Sequence, residues 1–171
     1  MRKSILVLVL SLVLLLSFVI NVRAQSKEVS EPFTTTFYAT SKVLPLGEGI
    51  ICVTYEGIGT NVSDTDEGLF HNATARALGI NKIEKGIYKD EQGWAVYNLQ
   101  NGDKVFMTYK LTGHVKPGGT GLAKGTATIT GGTGNAAGIQ GSFEITRTMV
   151  RSALEGGGQN YIKGTIKYTL P

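Results

Sequence analysis

Two glycine-rich segments are the places in this chain where a phosphate group could bind. Residues 131–138 (GGTGNAAG) place their last glycine one position too late for the dinucleotide-binding fingerprint, which also requires a helix after it. Residues 119–125 (GTGLAKG) hold a lysine, but a glycine follows it where a phosphate loop needs Ser or Thr. The residues after the first segment alternate like a strand. We therefore predict that both segments are turns whose glycines allow positive φ angles.

Residues that could bind a metal or act as nucleophiles are few and poorly spaced. The two histidines, His71 and His114, form no metal-ligand pattern with neighbouring Cys, Asp or Glu. The acidic residues of segment 64–67 lack the full calcium-loop pattern. The single cysteine, Cys52, follows two isoleucines, which favours a buried, inert thiol over a reactive one. The sequence therefore predicts neither a metal nor a cofactor.

Two arginines share strand parity with apolar residues. Arg76 alternates in phase with Leu78 and Ile80, and Arg147 alternates in phase with Phe143 and Ile145. Such an arginine could enter a barrel and meet an acidic ligand group, because a buried guanidinium needs a partner. The alternative is that both arginines lie at strand ends and extend to water.

The first 24 residues have the pattern of a secretion signal. Arg2 and Lys3 precede an apolar run of 16 residues, and small residues follow up to Ala24. A membrane span needs roughly 20 apolar residues, so a retained anchor is the weaker interpretation. We expect cleavage near Ala24 and a secreted or periplasmic protein with no membrane span in its mature form. Cleavage removes three basic residues and leaves 14 basic against 13 acidic ones, which argues against a nucleic-acid partner.

The remaining chain has the composition of an all-β protein. All 23 glycines follow the signal, and Thr, Val, Ile and Tyr are abundant. We expect a flexible arm over residues 25–32 and a single β-barrel domain over residues 33–171. Turn signals divide this domain into eight strands, predicted over residues 34–43, 48–57, 68–83, 87–99, 104–112, 121–130, 139–149 and 159–170.

The connections between these strands are short, which favours antiparallel neighbours. Asn101-Gly102 is the strongest hairpin signal and suggests a type I′ turn, and a bulge is expected near Gln92-Gly93. Eight antiparallel strands in chain order can close into an up-and-down barrel without exposed edges. The predicted fold is therefore an eight-stranded antiparallel up-and-down β-barrel of the calycin-like type.

Alternation identifies the apolar face of several strands. Val105, Met107, Tyr109 and Leu111 share one face of the fifth strand. The corresponding apolar faces are Phe143 and Ile145 in the seventh strand, and Ile162, Ile166, Tyr168 and Leu170 in the eighth. The second strand differs, because Ile51, Val53 and Tyr55 fill one face while Ile50 and Cys52 occupy the other. A strand that is apolar on both faces is covered on both, which predicts a homo-oligomer.

The order of three segments resembles a known barrel family. Residues 70–79 (FHNATARALG) precede the hairpin at residues 100–106 (QNGDKVF), and the glycine run at 131–141 follows. This order is similar to small exported bacterial proteins with an allene oxide cyclase-like barrel, which look like plant allene oxide cyclases and dirigent proteins. The resemblance implies an eight-stranded barrel with an apolar cavity and, in the plant families, a trimer. The plant cyclases shape a bound fatty-acid epoxide with help from a carboxylate near the start of the barrel. The predicted first strand holds no Asp or Glu, so no catalytic residue is assigned here.

Three functions remain open from the sequence. The leading hypothesis is an exported, non-catalytic barrel that binds a small apolar or fatty-acid-like ligand. The alternatives are a cyclase or isomerase acting on such a ligand in the cavity, with Tyr55, Arg76 and Tyr109 as its polar groups, and a structural or envelope-interaction protein. The residues predicted to line the ligand site are Phe37, Tyr55, Arg76, Met107, Tyr109, Phe143, Arg147 and Tyr168.

Overall fold

The computed structural model describes residues 28–151 and 157–171. The predicted signal segment lies outside these ranges. The strands are β1 (Glu28–Gly47), β2 (Ile50–Ser63), β3 (Thr74–Glu84), β4 (Ile87–Asn98), β5 (Lys104–Val115), β6 (Gly121–Gly132), β7 (Gly141–Arg151) and β8 (Gly158–Thr169). Each strand pairs antiparallel with the next, and β8 pairs with β1 to close the barrel. The predicted fold class is therefore confirmed.

The turns lie at the predicted glycines, although the turn at Asn101-Gly102 is not of the expected type. The 99–103 hairpin is closed by hydrogen bonds from Leu99 N to Asp103 O (2.8 Å) and from Gly102 N to Leu99 O (3.0 Å). Gly102 has a φ of 88°, whereas Asn101 is not among the residues with positive φ, so the turn is not type I′. After β6 the chain makes one short 3-10 turn at Gly134–Ala136 before β7. No phosphate-binding helix begins there, and the segment is a turn as predicted.

β1 starts earlier than the sequence suggested. Glu28 pairs with Thr169 of β8 and Pro32 pairs with Thr165. Residues 28–32, expected in a flexible arm, are therefore part of the barrel. The extension also brings a carboxylate, Glu31, into the first strand, where the predicted strand had none.

The connection between β2 and β3, residues 64–73, closes one end of the barrel, and we call it the plug loop. Its Phe70 is completely buried and makes edge-to-face ring contacts with Tyr97 and Tyr168, with centroids 5.7 Å apart in each pair. Glu31 holds this loop, because its carboxylate accepts hydrogen bonds from Leu69 N (3.0 Å) and Phe70 N (3.3 Å). The second strand, predicted to end at residue 57, continues through Ser63.

The inward faces of β5, β7 and β8 are those predicted from alternation, with Met107, Phe143 and Tyr168 all buried. In β3 the inward and outward positions are the reverse of those predicted. Ala75, Ala77 and Gly79 point inward, whereas Leu78 is half exposed on the outer surface. The reason is space, because a Cβ atom at Gly79 would collide with the Tyr55 and Tyr109 hydroxyls. At this level of the barrel β3 contributes small residues, and the rings that fill the space come from β2 and β5.

β4 contains the predicted bulge, a few residues before the expected position. Its pairing with β5 shifts register between Tyr88 and Glu91. Both of these side chains are buried inside the barrel, while Lys89 and Asp90 between them are exposed. The bulge thus reverses the alternation of β4 and turns Glu91 inward. None of the helical structure within the described ranges has the length and apolar character that a membrane crossing requires.

Candidate functional site

A polar cluster crosses the interior of the barrel, and we call it the arginine cluster. It consists of Tyr55 (β2), Tyr88 and Glu91 (β4), Tyr109 (β5) and Arg147 (β7). Both terminal nitrogens of Arg147 contact the Glu91 carboxylate, Nη1 to Oε1 and Nη2 to Oε2, each at 2.5 Å. Nη2 also donates to the Tyr88 hydroxyl at 3.0 Å, and Nη1 donates to the Tyr55 hydroxyl at 3.3 Å. This two-point pairing is the strongest geometry available to a guanidinium and a carboxylate.

The tyrosine hydroxyls extend this network across the barrel. Tyr55 donates a short hydrogen bond to Glu91 Oε1, and its oxygen lies 2.7 Å from that of Tyr109. Tyr109 in turn donates to the backbone oxygen of Leu78 at 3.1 Å. The planar Arg147 group also lies 5.8 Å from the ring centroids of Tyr55 and Tyr88, within the range of cation–π attraction.

Glycines make room for the two central tyrosine rings. Gly79 of β3 pairs directly with Gly93 of β4. A Cβ atom at Gly93 would collide with the Tyr109 ring, just as one at Gly79 would collide with Tyr55. The glycine pair and the β4 bulge together let Tyr55, Tyr109 and Glu91 meet in one plane of the barrel.

Burial controls the protonation of the cluster. It raises the pKa of Tyr55 well above the ordinary tyrosine value, and Arg147 lowers this pKa by less. Burial likewise raises the pKa of Tyr109 and of Tyr88. These phenols therefore keep their protons at neutral pH and act as hydrogen-bond donors, not as bases.

Arg147 remains charged although it is buried. Burial lowers the pKa of its guanidinium, but the Glu91 carboxylate and the adjacent tyrosines outweigh this, and the net direction is upward. The two opposite charges cancel locally. The cluster is therefore a neutral, internally hydrogen-bonded plane inside a mostly apolar barrel.

Two cavities flank the arginine cluster. The first, of about 50 Å³, is mostly apolar and lies towards the plug loop. Its lining includes Phe33, Phe37, Ala77, Ala95, Tyr97, Met107, Ala127, Phe143 and Ile145. The second, of about 60 Å³, lies towards the end of the barrel where β7 ends and β8 begins, because Arg151 and Gly158 line it. Ala39, Tyr55, Arg147 and Asn160 line both cavities, so the two spaces adjoin.

Six of the eight residues predicted from the sequence meet at the first cavity. These are Phe37, Tyr55, Met107, Tyr109, Phe143 and Arg147. Tyr168 lies outside both cavities, at the closed end, where it donates a 2.5 Å hydrogen bond to Glu31.

Arg76 was predicted wrongly. It lies on the outer surface, where its side chain is 66% exposed and pairs with Glu56 at 2.5 Å. The cause is the phase of β3, which points Arg76 outward together with Leu78. The cyclase or isomerase alternative therefore loses Arg76 as an interior group.

Two important site residues were missed from the sequence, Glu91 and Tyr88. The signal was present, since Tyr88 and Glu91 flank the charged pair Lys89-Asp90 in a strand expected to contain a bulge. Only the position of the bulge decides which of these four residues point inward. Glu31, the other buried carboxylate on an inner face, touches neither cavity and serves the plug loop.

The described part of the chain contains no group of three or more His, Cys, Asp or Glu residues that could hold a metal ion. Compared with known protein families, with curated proteins and with solved structures, the chain shows no match. Function is therefore argued from the geometry of the interior alone.

Proposed function

We propose that this protein binds a small, mainly apolar molecule inside its barrel without transforming it. The observation that carries the proposal is the apolar first cavity, which ends at the polar arginine cluster. Ligand sites typically combine an apolar lining with a few polar groups that fix the orientation of the ligand. Here the Tyr109 oxygen and the Arg147 side chain, both of which line this cavity, provide those groups.

The size of the first cavity restricts the ligand. Its volume of about 50 Å³ is small against the roughly 150 Å³ of an engineered cavity that binds benzene. Only a group of a few carbon atoms fits without rearrangement. A longer ligand, such as a fatty-acid-like chain, requires the aromatic side chains that line the cavity to move apart.

The cellular location of the protein is also proposed. We propose export through a signal peptide cleaved near Ala24, and a mature protein that works in the periplasm or outside the cell. Membership in the allene oxide cyclase-like and dirigent-like barrels is likewise proposed. β1 includes a carboxylate near its start, that of Glu31. This carboxylate accepts hydrogen bonds from the plug loop, so it supports no cyclase role.

Xenon tests the first cavity directly, because it enters dry apolar cavities of small volume. We expect xenon to shift the NMR signals of the Met107 methyl group and of other lining residues. Ala127→Val should fill the cavity and abolish these shifts, and Ala77→Val should do the same from another strand. Ile129→Leu is the matched control, because Ile129 is buried on β6 but lines neither cavity. Shifts that are absent from the native protein, or that persist in both valine variants, would overturn the proposal.

The natural ligand requires a separate measurement. The protein, purified from its own producing cells without denaturation, is examined by native mass spectrometry and by solvent extraction. We expect a bound molecule that Ala127→Val reduces and Ile129→Leu retains.

A second candidate function, a partner-binding scaffold, is favoured by the outer surface of β1 to β5. Tyr38 pairs with Ile58 across β1 and β2, and Leu78 pairs with Trp94 across β3 and β4. All four side chains are at least half exposed, and the exposed Arg76–Glu56 ion pair lies beside them. Large apolar side chains exposed together often mark an interaction site. The proposed homo-oligomer, a trimer by resemblance, would use such a face. Sedimentation of the native protein and of Trp94→Lys tests it, since a monomer in both cases would remove the support.

A further inference from the structure

Two residues that line the second cavity each carry one buried polar atom that lacks a hydrogen-bond partner among the described residues. These atoms are Oδ1 of Asn81 and Nε of Arg147. Both residues line this cavity, and each is only 7% exposed. Buried polar atoms are almost always paired with protein or ordered water, so two unpaired ones beside the same space indicate that something polar occupies it.

The two atoms differ in kind. Oδ1 of an asparagine accepts a hydrogen bond, whereas the Nε–H group of an arginine donates one. A partner for both must therefore offer a donor and an acceptor together. A primary amide or a hydroxyl group does so, and a hydrocarbon does not.

The charge of the site argues against an anionic partner. Glu91 already occupies both terminal nitrogens of Arg147 and is itself completely buried. A ligand carboxylate that displaced Glu91 would leave a buried charge unpaired, which is strongly unfavourable. Arg151 at the edge of the cavity is exposed, so solvent and salt weaken its attraction for anions.

We infer that the second cavity is the subsite for an uncharged polar head group, an amide or a hydroxyl, bound between Asn81 and Arg147. The apolar part of the same molecule extends past Tyr55 into the first cavity. This inference rests on the proposed function and sharpens it, because an acidic head group was the expectation from the sequence. The volume of about 60 Å³ accommodates such a group of a few atoms.

Three probes of equal chain length test the head group: butyramide, butyrate and butane, each titrated at pH 7 and followed by NMR. We expect butyramide to bind at least about tenfold more tightly than either of the others, since two net hydrogen bonds separate it from butane. Equal binding of butyramide and butane would overturn the inference, and so would tighter binding of butyrate. If xenon binds but butyramide does not, the second cavity holds only water and the inference falls while the proposed function stands. If neither xenon nor any of the three probes binds, both fall.

The Asn81→Leu variant tests whether Asn81 binds the head group. The change removes the acceptor at similar side-chain size, and the advantage of butyramide over butane should fall about fivefold or more. Asn81→Ala removes the same atoms without adding apolar volume and serves where the leucine variant does not fold. Lys82→Met is the matched control, because Lys82 is the next residue of β3 and points outward. An unchanged advantage in both Asn81 variants contradicts the assignment.

Discussion

Arg147 on β7 and Glu91 on β4 form a two-point ion pair across the barrel, although 56 residues separate them in the sequence. The two strands are not neighbours in the sheet, so the ion pair spans the interior of the barrel. It divides the interior into two small cavities. The pair therefore limits the space that is left inside the barrel.

Removing one partner of this pair should be much worse than removing both. Arg147→Met leaves Glu91 buried and unpaired, and we expect it to lower the free energy of unfolding by about 3–5 kcal/mol. The double variant Glu91→Leu with Arg147→Met should cost less than either single change, because no buried charge remains. Urea denaturation of the native protein, both single variants and the double variant measures this. Additive costs would show that the two residues do not interact.

Arg76→Ala should have little effect. The Arg76–Glu56 pair is exposed, and exposed ion pairs contribute at most about 1 kcal/mol. We expect a change in the free energy of unfolding of less than about 1 kcal/mol, and xenon binding to the first cavity that matches the native protein. Arg147→Met is the comparison, since it changes an arginine that faces the interior. A loss of xenon binding in Arg76→Ala would mean that Arg76 points into the barrel.

The plug loop depends on a glycine that no other residue can replace. Gly68 has a φ of 108°, and a Cβ atom there would fall within contact of the Glu31 carboxylate. Gly68→Ala therefore combines backbone strain with the loss of the hydrogen bonds that Glu31 accepts. Gly102→Ala is the matched control, because Gly102 has a φ of 88° but open space around it.

We expect Gly68→Ala to destabilise the protein by roughly 2 kcal/mol more than Gly102→Ala does, which is the range for leaving buried polar groups unpaired. Thermal and urea unfolding measure the difference. Hydrogen exchange should also show faster exchange at the Leu69 and Phe70 amides in Gly68→Ala alone. Equal costs for the two variants would mean that Glu31 does not hold the loop.

The barrel should unfold at alkaline pH through its buried tyrosines. Burial raises the pKa of Tyr55, Tyr88, Tyr97, Tyr109 and Tyr168 in the folded state. The unfolded chain loses these protons near pH 10, so above that pH it binds fewer protons than the folded protein. Stability is then fully present below about pH 10 and falls as the pH rises towards the folded-state values.

Tyrosinate absorbance and circular dichroism, recorded together from pH 8 upward, test this expectation. The phenolate signal of the five buried tyrosines should appear together with the loss of β-sheet signal. Tyr97→Phe should shift the alkaline transition upward, because it removes one of the groups that release a proton on unfolding. Ionisation of these five tyrosines while the sheet remains intact would contradict the prediction.

Local alternation was sufficient to predict much of this molecule. The eight strands, their antiparallel order and the inward faces of β5, β7 and β8 follow from glycine turns and from side chains that repeat every second residue. Six of the residues predicted for the ligand site line the first cavity for the same reason. Each of these six side chains lies at a position whose strand parity was predicted correctly as inward-facing.

β3 and β4 could not be predicted in this way. β3 is apolar on both faces, and Leu78 and Ile80 point outward while the rings of Tyr55 and Tyr109 occupy the inner space beside Gly79. In β4 a bulge between Tyr88 and Glu91 reverses the alternation. A one-residue change of phase moves every following side chain to the other face, and only pairing with the neighbouring strands fixes it.

The sequence by itself therefore determined the barrel, its turns and the aromatic lining of its interior, because these depend on residues that are close together in the chain. The tertiary structure alone decided which arginine is buried, which carboxylate meets it and how little space remains. Those outcomes depend on the relative phase of strands that are far apart in sequence, and on whether rings from one strand fit over glycines of another.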